Sequence, residues 1–307
     1  MKFLKPSDLV IIENNDEYIL RKGFIHINEV TIDKLGSSEE FLRNFQQFIK
    51  SNFIELNDDD NAFGDFKQLL QFGLINIETS KSFKVIVGKD DILIGINNSY
   101  PCEVIRLEDV LSHEDCVVMN EYKDPQRINN IIDRFEKIIG KNNDIYYLDE
   151  LRNITSLRAV NRITKALKSE LTLGFYDNSN VYVTRIKHGY TGCFECLERH
   201  IISKFPHDIN YYINEESLSE DCSQNFPAIM MLNSLILQDM KNVIVYGNST
   251  LLGQVIHYYL PNYEYSYNIN RRHISCPTCA GINNVMFREQ NMRAVNAFAE
   301  ARNNDKI

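Results

Sequence analysis

Four cysteines in two matched pairs constrain this chain more than any other feature. Cys193 and Cys196 form one C-x2-C pair, and Cys276 and Cys279 form a second. Two intervening residues allow both sulfurs of a pair to bind one ion at about 2.3 Å, and two pairs complete a closed tetrahedral zinc site. We therefore predict a structural Zn²⁺ ion bound by these four cysteines, with no open position for catalysis at the metal.

The separation of the two pairs excludes the smallest zinc folds. Between Cys196 and Cys276 lie 79 residues, whereas a zinc finger or ribbon has about 12 to 20 residues there. The metal is expected to join two distant parts of a larger domain. The alternative is a set of free or redox-active thiols. His188, His200 and His273 flank the pairs and could replace a ligand, although four cysteines suffice.

Composition and charge limit the possible functions. The chain has 307 residues, enough for one large domain or two ordinary ones. Its net charge of -9 argues against a broad nucleic-acid surface, which needs clustered Lys and Arg. No run of about 18 apolar residues and no signal peptide is evident, so we predict a cytoplasmic protein without a membrane segment. Paired cysteines in that compartment favour metal binding over disulfides, and the cysteine total of seven is odd.

Residues 1–80 predict a small winged-helix-like module. Short apolar runs bounded by turn residues indicate strands at 9–12, 18–20, 24–27 and 74–78. Apolar residues at helical spacing predict helices at 38–51 and 63–72, the first of them capped by Ser38.

Residues 81–307 predict a parallel sheet covered by helices, because strand and helix patterns alternate there. Strand candidates lie at 83–88, 91–96, 116–121 and 145–148, and helix candidates at 124–142, 156–169 and 196–205. A hairpin is predicted at 171–186 and a polar loop at 206–225. The segment 226–242 is apolar on more than one face, which indicates a helix buried either in the core or in a subunit interface.

Motifs for nucleotide binding and catalysis are missing from the sequence. A dinucleotide or adenylate site would need G-x-G-x-x-G after the first strand of the sheet domain. Here only Gly88 stands at that place, followed by Asp90 and Asp91, whose charge would repel a triphosphate. The segment 243–260 reads locally as a strand, two glycines and a helix, and we interpret it as a turn in preference to a phosphate loop. No nucleophile or metalloprotease motif appears, and Glu195 and Glu198 are expected on a solvated face.

The sequence resembles the ThiF/MoeB superfamily at "GYTGCFECLERH" and "CPTC", where two C-x2-C pairs bind structural zinc. The whole chain is most similar to one degenerate branch, the McbB-type subunit of synthetases that make thiazole/oxazole-modified microcins and related thiopeptides. Two further stretches carry this resemblance. The run "FPAIMML" lies between the cysteine pairs, and "LLQFGLINIE" matches the end of that branch's precursor-peptide recognition element.

The resemblance implies a function and partners. Members of the branch bind the leader of a ribosomal precursor peptide on the winged-helix module. They dock against a YcaO cyclodehydratase, which uses ATP to cyclise Cys, Ser or Thr, and a flavin-dependent dehydrogenase often joins the complex. The leader adds a strand beside the module's third strand and last helix, here 24–28 and 63–72. Candidate peptide-binding residues are Ile25, Ile27, Phe63, Phe66, Leu69 and Leu70, with core packing as the alternative.

The sequence departs from the ThiF/MoeB enzymes in two ways that favour a non-catalytic scaffold. The glycine fingerprint is missing, and the catalytic cysteine that those enzymes place soon after the first pair is also missing, since residues 197–221 contain no cysteine. A homodimer is expected, with the helix at 226–240 as a candidate interface. The rival interpretation is an adenylating enzyme of the ThiF/MoeB type that activates a peptide or carrier-protein C-terminus. A third is a zinc-stabilised interaction protein with another client.

Overall fold

The computed structural model describes residues 1–23, 27–78, 82–89, 92, 102–121, 123–140, 144–203 and 225–279. The chain divides into two compact units. Unit 1 contains Met1–Ser82 and Leu237–Thr250, and unit 2 contains Phe83–Ile236 and Leu251–Ile307.

Unit 1 contains two three-stranded antiparallel sheets and two helices, with the orders β5-β1-β6 and β2-β3-β4. Its elements in chain order are β1 (Lys2–Leu4), β2 (Leu9–Glu13), β3 (Glu17–Lys22), β4 (Asn28–Asp33), α1 (Glu39–Ser51), β5 (Phe53–Glu55), α2 (Phe63–Gln71) and β6 (Asn76–Glu78).

Helix α1 shows how local sequence produces this unit. The Ser38 side chain accepts a hydrogen bond from the backbone N–H of Phe41, as the sequence predicts. Phe41, Phe45 and Phe48 recur on one face of the helix and are buried. Their rings pack around Phe66 of α2, with ring centroids 5.5 to 6.3 Å apart. Aromatic packing therefore joins both helices in one core.

The third strand of unit 1 differs from its predicted position. The sequence predicts a strand at 24–27, of which residues 24–26 lie outside the described residues, and the structure has β4 at Asn28–Asp33. Val30 and Ile32 alternate with exposed Thr31 and Asp33, which is the period of a half-buried strand. Strand β4 pairs with β3 from Asn28 to Asp33.

Unit 2 is built on a seven-stranded sheet of order β13-β12-β11-β10-β9-β7-β8. Its elements are β7 (Phe83–Val87), β8 (Cys102–Arg106), α3 (Leu107–Val110), α4 (His113–Glu121), α5 (Pro125–Ile139), β9 (Ile145–Glu150), α6 (Ile154–Leu167), β10 (Leu171–Tyr176), β11 (Asn180–Ile186), α7 (Phe194–Ile202), α8 (Phe226–Tyr246), β12 (Gln254–Tyr259) and β13 (Glu264–Ile269). Helix α8 belongs to unit 2 only as far as Ile236, and its residues from Leu237 onward belong to unit 1. The predicted α/β class is confirmed. Strands β8, β7, β9 and β10 pair in parallel, and the hairpin β10-β11 begins an antiparallel extension through β12 and β13.

Both faces of the sheet are covered at strand β10. Leu173 and Phe175 belong to a buried cluster that also includes Leu157 of α6. On the opposite face, a Cβ added at Gly174 would lie 2.6 Å from Leu232 Cδ1 of α8. The glycine thus allows α8 to approach the sheet closely, and this face of α8 lies in the core of unit 2.

Helix α8 is the one helix in the described part of the chain that is long and apolar enough to cross a membrane by length and composition. The sequence predicted no membrane segment, because polar residues such as Asn233 and Asp239 interrupt this apolar stretch. Leu232 and Ile236 are fully buried on the sheet, and this packing is typical of a core helix in a globular domain.

One predicted strand is wrong. Residues 116–121 belong to helix α4, although the run "CVVM" reads as a strand. Asp115 Oδ2 accepts hydrogen bonds from the backbone N–H and hydroxyl of Ser112, and the Ser112 hydroxyl accepts one from the N–H of Asp115. This reciprocal cap begins a helix, and Cys116 of that helix is buried in the core. The strand predicted at 91–96 and the loop at 206–225 lie outside the described residues except for Ile92 and Asn225.

Candidate functional site

The four cysteines of the two pairs meet in unit 2. Cys193 immediately precedes α7, Cys196 lies in its first turn, and Cys276 and Cys279 lie in the turn that follows β13. The Sγ atoms are 3.8 Å apart for Cys193 and Cys196, 3.5 Å for Cys193 and Cys276, and 3.3 Å for Cys196 and Cys279. All four Sγ atoms lie within 4.8 Å of one another.

These distances fit a metal ion bound by four thiolates. A tetrahedron with Zn–S bonds of about 2.3 Å has edges of about 3.8 Å, whereas a disulfide needs sulfurs about 2.05 Å apart. The cysteine cluster can therefore hold a metal ion, and its all-sulfur composition is consistent with zinc.

Hydrogen bonds prepare the sulfurs for metal binding. The backbone N–H of His273 donates to Cys196 Sγ at 3.2 Å, and that of Cys279 donates to Cys276 Sγ at 3.3 Å. Interactions among the four thiols shift their pKa values in opposite directions. The hydrogen bond with Cys193 lowers the pKa of Cys196 and lowers that of Cys276 to about 6, whereas the pKa of Cys193, through its hydrogen bond with Cys196, and the pKa of Cys279 are raised. The backbone N–H donors favour the thiolate, which is the form that binds metal.

The three flanking histidines contact other groups. His200 Nε2 lies 3.1 Å from the carbonyl oxygen of Arg271, and His273 Nδ1 lies 2.9 Å from Ser275 Oγ. His188 Nε2 lies 3.2 Å from Thr164 Oγ1. Burial lowers the pKa of His188 to about 4, so its ring is neutral at pH 7. Among the described residues the metal-ligating cluster consists of cysteines alone.

Gly192 allows the two cysteine segments to approach each other. Its N–H donates to the carbonyl of Asn270 at 2.8 Å, and Asn270 Nδ2 donates to the carbonyl of Gly192 at 3.0 Å. A Cβ at residue 192 would lie 2.4 Å from Asn270 Oδ1 and 2.6 Å from the carbonyl oxygen of Arg271. The glycine is needed for this close contact between chain segments.

Helix α6 forms hydrogen bonds with both cysteine segments. Asn161 Oδ1 accepts a hydrogen bond from the N–H of Phe194 at 3.1 Å, next to the first pair. Lys165 Nζ donates to the carbonyl of Thr278, inside the second pair. The Thr278 hydroxyl in turn donates to the carboxylate of Glu195. One helix thus positions both halves of the cysteine cluster.

The expectation that Glu195 and Glu198 form a solvated face is wrong. Their exposed fractions are 3% and 5%. Arg162 lies 2.5 Å from Glu195 Oε1, and Arg158 binds Glu198 through both Nε and Nη2. Buried carboxylates need such partners because an unpaired charge is costly to desolvate. The sequence contains a signal for them, since Arg158 and Arg162 are four residues apart on one helix and Glu195 and Glu198 are three apart on another.

The carboxyl end of the parallel strands is filled by a side chain of the protein itself. Strand β7 lies between β8 and β9, so the next strand along the chain adds on one side of β7 and the one after it on the other side. Such a position is a topological switch point, where ligands of open α/β sheets bind. A Cβ at Gly88 would lie 2.1 Å from Asp149 Oδ1. Asp149 is fully buried and accepts hydrogen bonds from the N–H of Glu150 and from Asn153 Nδ2, both at 2.7 Å. A carboxyl group at this position disfavours a phosphate beside Gly88.

The segment 243–260 has the opposite order of elements from a phosphate loop. Helix α8 ends at Tyr246, a turn containing Gly247 and Gly253 follows, and β12 begins at Gln254. A phosphate loop runs from strand to helix. The interpretation of this segment as a turn is confirmed, although its flanking elements are reversed relative to the sequence pattern.

A groove in unit 1 lies between β4 and α2, with a volume of about 460 Å³. It is lined by Val30, Thr31, Ile32, Asp33, Gly36, Ser37, Ser38, Phe41, Asp65, Gln68, Leu69 and Phe72. Strand β4 is an edge strand, paired with β3 alone among the described strands. Asn28 Nδ2 donates to the carbonyl of Phe72 at 3.3 Å, which joins the start of β4 to the end of α2.

The predicted peptide-binding residues occupy different places in unit 1. Phe66, Leu69 and Leu70 are buried in its core, and Leu69 also lines the groove. Phe63 is half-buried against that core, Ile27 is 57% exposed, and Ile25 lies outside the described residues. Sequence reasoning missed Val30, Gln68 and Phe72 as groove residues. Phe72 could have been found from the sequence, because it lies three residues after Leu69, on the same face of the predicted helix.

No protein-family model and no curated protein matches the chain. Among solved structures, the crystal structure of E. coli MccB matches with a TM-score of 0.45 and 12% identity, over 92% of this chain and 98% of that one. The heterocyclase TruD matches with a TM-score of 0.45 and 13% identity, over 91% of this chain and 42% of that one. A heterocyclase in complex with substrate and cofactor has a TM-score of 0.46 and 10% identity, over 91% and 39%. Because these scores lie below 0.5, the functional assignment depends on the residues described above.

Proposed function

We propose that this protein is a leader-peptide-binding scaffold of the McbB type, which presents a ribosomal precursor peptide to a YcaO cyclodehydratase. The observation that carries the proposal is the groove between the edge strand β4 and helix α2. An extended peptide in that groove would add a strand to β2-β3-β4, the mode called β-augmentation.

The groove offers the two kinds of contact that this mode needs. The outer edge of β4 presents backbone N–H and C=O groups at alternate residues, which give affinity independent of sequence. Val30, Leu69 and Phe72 supply apolar contacts on the side of α2. Side chains at alternate peptide positions would point toward them, which would set the register of the leader.

Zinc has a structural role in this proposal. Cys193, Cys196, Cys276 and Cys279 would hold it, and four thiolates leave no position for water or substrate. The ion would tie α7 to the turn after β13 and so stabilise unit 2. In our proposal residues 1–80 recognise the leader, and residues 81–307 form the scaffold that docks on the YcaO enzyme and, in some systems, a flavin-dependent dehydrogenase.

The advantage of such a scaffold is effective concentration. A tethered leader makes the encounter between core peptide and enzyme intramolecular, at about millimolar local concentration for a short flexible linker. The cyclodehydratase would then modify Cys, Ser or Thr residues of the core in the cytoplasm. This function needs no catalytic group in the scaffold itself, which agrees with Asp149 filling the space beside Gly88.

Leader binding is the direct test. Fluorescently labelled leaders, encoded by short reading frames beside the gene, are titrated with the full-length protein and binding is followed by anisotropy. We expect saturable binding. Absence of measurable affinity for every such leader would refute the proposal.

Pyrophosphate exchange separates the proposal from the adenylating enzyme. The purified protein with ATP and a leader or carrier peptide is expected to give no exchange. Robust exchange would favour the rival. If neither exchange nor leader binding occurs, the protein is a zinc-stabilised interaction protein with another client.

A further inference from the structure

The groove between β4 and α2 differs in chemistry from one end to the other. At one end, Asn28 at the start of β4 donates a hydrogen bond to the carbonyl of Phe72, whose side chain is exposed just after α2. Strand β4 and helix α2 therefore run in opposite directions. Asp33, the last residue of β4, and Asp65, in the first turn of α2, line the groove toward its other end. We call these two aspartates the acidic end of the groove.

The acidic end has no cation beside it in the part of the chain that the structure describes. Asp33 and Asp65 are both exposed, and neither forms an ion pair with a described residue. Lys34, which follows Asp33 in the chain, instead pairs with Glu13 and donates to the carbonyl of Asn14. The described residues that line the groove include no lysine, arginine or histidine. The groove therefore presents negative charge to whatever peptide enters it.

One oxygen of Asp33 has a structural role, and the other can contact a ligand. The N–H of Leu35 donates to Asp33 Oδ1 at 2.9 Å, which fixes the turn after β4. A Cβ added at Gly36, which also lines the groove, would lie 3.0 Å from Asp33 Oδ2. Any larger residue at this position would crowd that oxygen. The glycine thus leaves space for a hydrogen-bond donor beside Oδ2.

We propose that the leader places a lysine or arginine side chain at the acidic end, where it pairs with Asp33 and Asp65. This inference rests on the proposed function, because it concerns the peptide bound in the same groove. Hydrogen bonds from a cationic donor to a carboxylate are among the strong ones. The walls of the groove exclude part of the water, which strengthens the attraction between the charges.

The charge of the groove also selects against other peptides. A leader with glutamate or aspartate in the same place would bring like charges together, and repulsion of this kind contributes to specificity as much as attraction does. The apolar contacts with Phe72 do not discriminate in this way, because they accept any large apolar side chain. The acidic end therefore decides which leader binds.

Strand direction sets the order of the two contacts along the leader. The pairs β2-β3 and β3-β4 are both antiparallel, and antiparallel pairing is slightly more stable per residue than parallel pairing. A leader that continues this pattern runs from the Asp33 end of β4 toward the Asn28 end. Its cation therefore precedes the apolar residue that contacts Phe72, and both lie within the six residues that β4 can pair.

Neutralising the acidic end tests the proposal. Asp33→Asn/Asp65→Asn removes both charges, and the amide oxygen at position 33 can still accept the hydrogen bond from Leu35. Anisotropy titrations use the full-length protein and the labelled leaders encoded beside the gene. We expect the double variant to bind about tenfold more weakly than the wild type. Its affinity should also change less between about 0.05 M and about 0.5 M sodium chloride, because salt screens the lost charges.

Asp58→Asn/Asp59→Asn is the matched control. Both aspartates are exposed and lie outside the groove, so this variant loses the same charge from the chain's net charge of -9. It should bind the leader as the wild type does. A non-specific attraction between an acidic protein and a basic peptide would weaken equally in both variants.

A charge reversal identifies the leader residue. Each lysine and arginine of the leader is replaced by glutamate in turn, and one replacement should weaken binding to the wild type about tenfold. Asp65→Lys should bind that substituted leader more tightly than it binds the original leader. This inverted preference requires a folded groove, so it distinguishes a lost contact from a lost fold.

The outcomes separate this inference from the proposed function. If a leader binds and the neutralised variant binds it equally well, the inference is overturned while the proposed function stands. The same holds if the bound leader has no lysine or arginine, if no single replacement matters, or if Asp65→Lys does not invert the preference. If no leader binds the wild type, both are overturned.

Discussion

Arg162 of α6 and Glu195 of α7 form a buried ion pair at 2.5 Å, and Glu195 lies between the two cysteines of the first metal-binding pair. Arg162 also donates to the carbonyl oxygens of Met119 and Asn120 at 3.0 and 2.9 Å. The guanidinium therefore joins α4, α6 and the segment that carries the first cysteine pair through one side chain.

Removing one partner of this pair should be strongly destabilising. Arg162→Met leaves the carboxylate of Glu195 buried without its charge partner, and we expect a loss of about 3–5 kcal/mol in the free energy of unfolding. The double variant Arg162→Met/Glu195→Gln should recover part of that loss, because no uncompensated charge remains.

Urea unfolding followed by circular dichroism measures these differences. Arg127→Met is the control, because Arg127 pairs with Glu114 on the surface, where ion pairs contribute little. A double variant no more stable than Arg162→Met would contradict our account of the pair.

Metal content should depend on the four cysteines of the cluster. We expect one zinc ion per chain by mass spectrometry of the purified protein, and Cys276→Ser should bind less than a tenth of that. Loss of the ion should lower the melting temperature, because binding free energy at a structural zinc site is also folding free energy. Cys102→Ser is the control, since Cys102 lies outside the cluster. Equal zinc content in both variants would refute the assignment.

Asp149 should make stability depend on pH. Burial raises its pKa from an ordinary 3.8 to about 6, despite the hydrogen bonds that it accepts from Tyr147, Asn153 and Glu150. The folded protein therefore holds this proton more tightly than the unfolded chain. The resulting stabilisation is complete below about pH 4 and is lost as pH rises through 6. About two pKa units correspond to about 3 kcal/mol.

The comparison of wild type with Asp149→Asn isolates this contribution. The difference in unfolding free energy between the two proteins should shift by about 2 kcal/mol in favour of the variant between pH 4 and pH 6.5, which is most of the full effect. Denaturant titrations at half-unit pH steps provide the measurement. A difference that stays constant over this range would mean that Asp149 titrates at its ordinary pKa.

Leader binding should depend on the apolar end of the groove. Phe72 is 57% exposed and lines the groove, so Phe72→Asp should weaken leader binding at least tenfold while the fold is retained. Phe53→Asp is the matched control, because Phe53 is 43% exposed on β5 and outside the groove. Anisotropy titrations compare the two variants, and circular dichroism checks their folding. Equal loss of affinity in both would locate the leader elsewhere.

The sequence by itself determined the features whose signals are local. The spacing of Cys193, Cys196, Cys276 and Cys279 indicated one metal site, because ligand spacing within each pair depends on a few neighbouring residues. Helices α1 and α5 were predicted because apolar residues recur there at helical spacing. Ser38, the predicted cap of α1, accepts the expected hydrogen bond, and Asp124 caps α5 in the same way. The α/β class followed from the alternation of such segments.

Tertiary structure alone decided which charges are buried and which surfaces are open. Glu195 and Glu198 are buried because partners 33 and 40 residues away on α6 neutralise them, and no local pattern encodes that distance. The groove beside β4 likewise depends on which strand ends up at a sheet edge. Strand order is set by long-range pairing and packing, whereas hydrophobic periodicity reports only on neighbours along the chain.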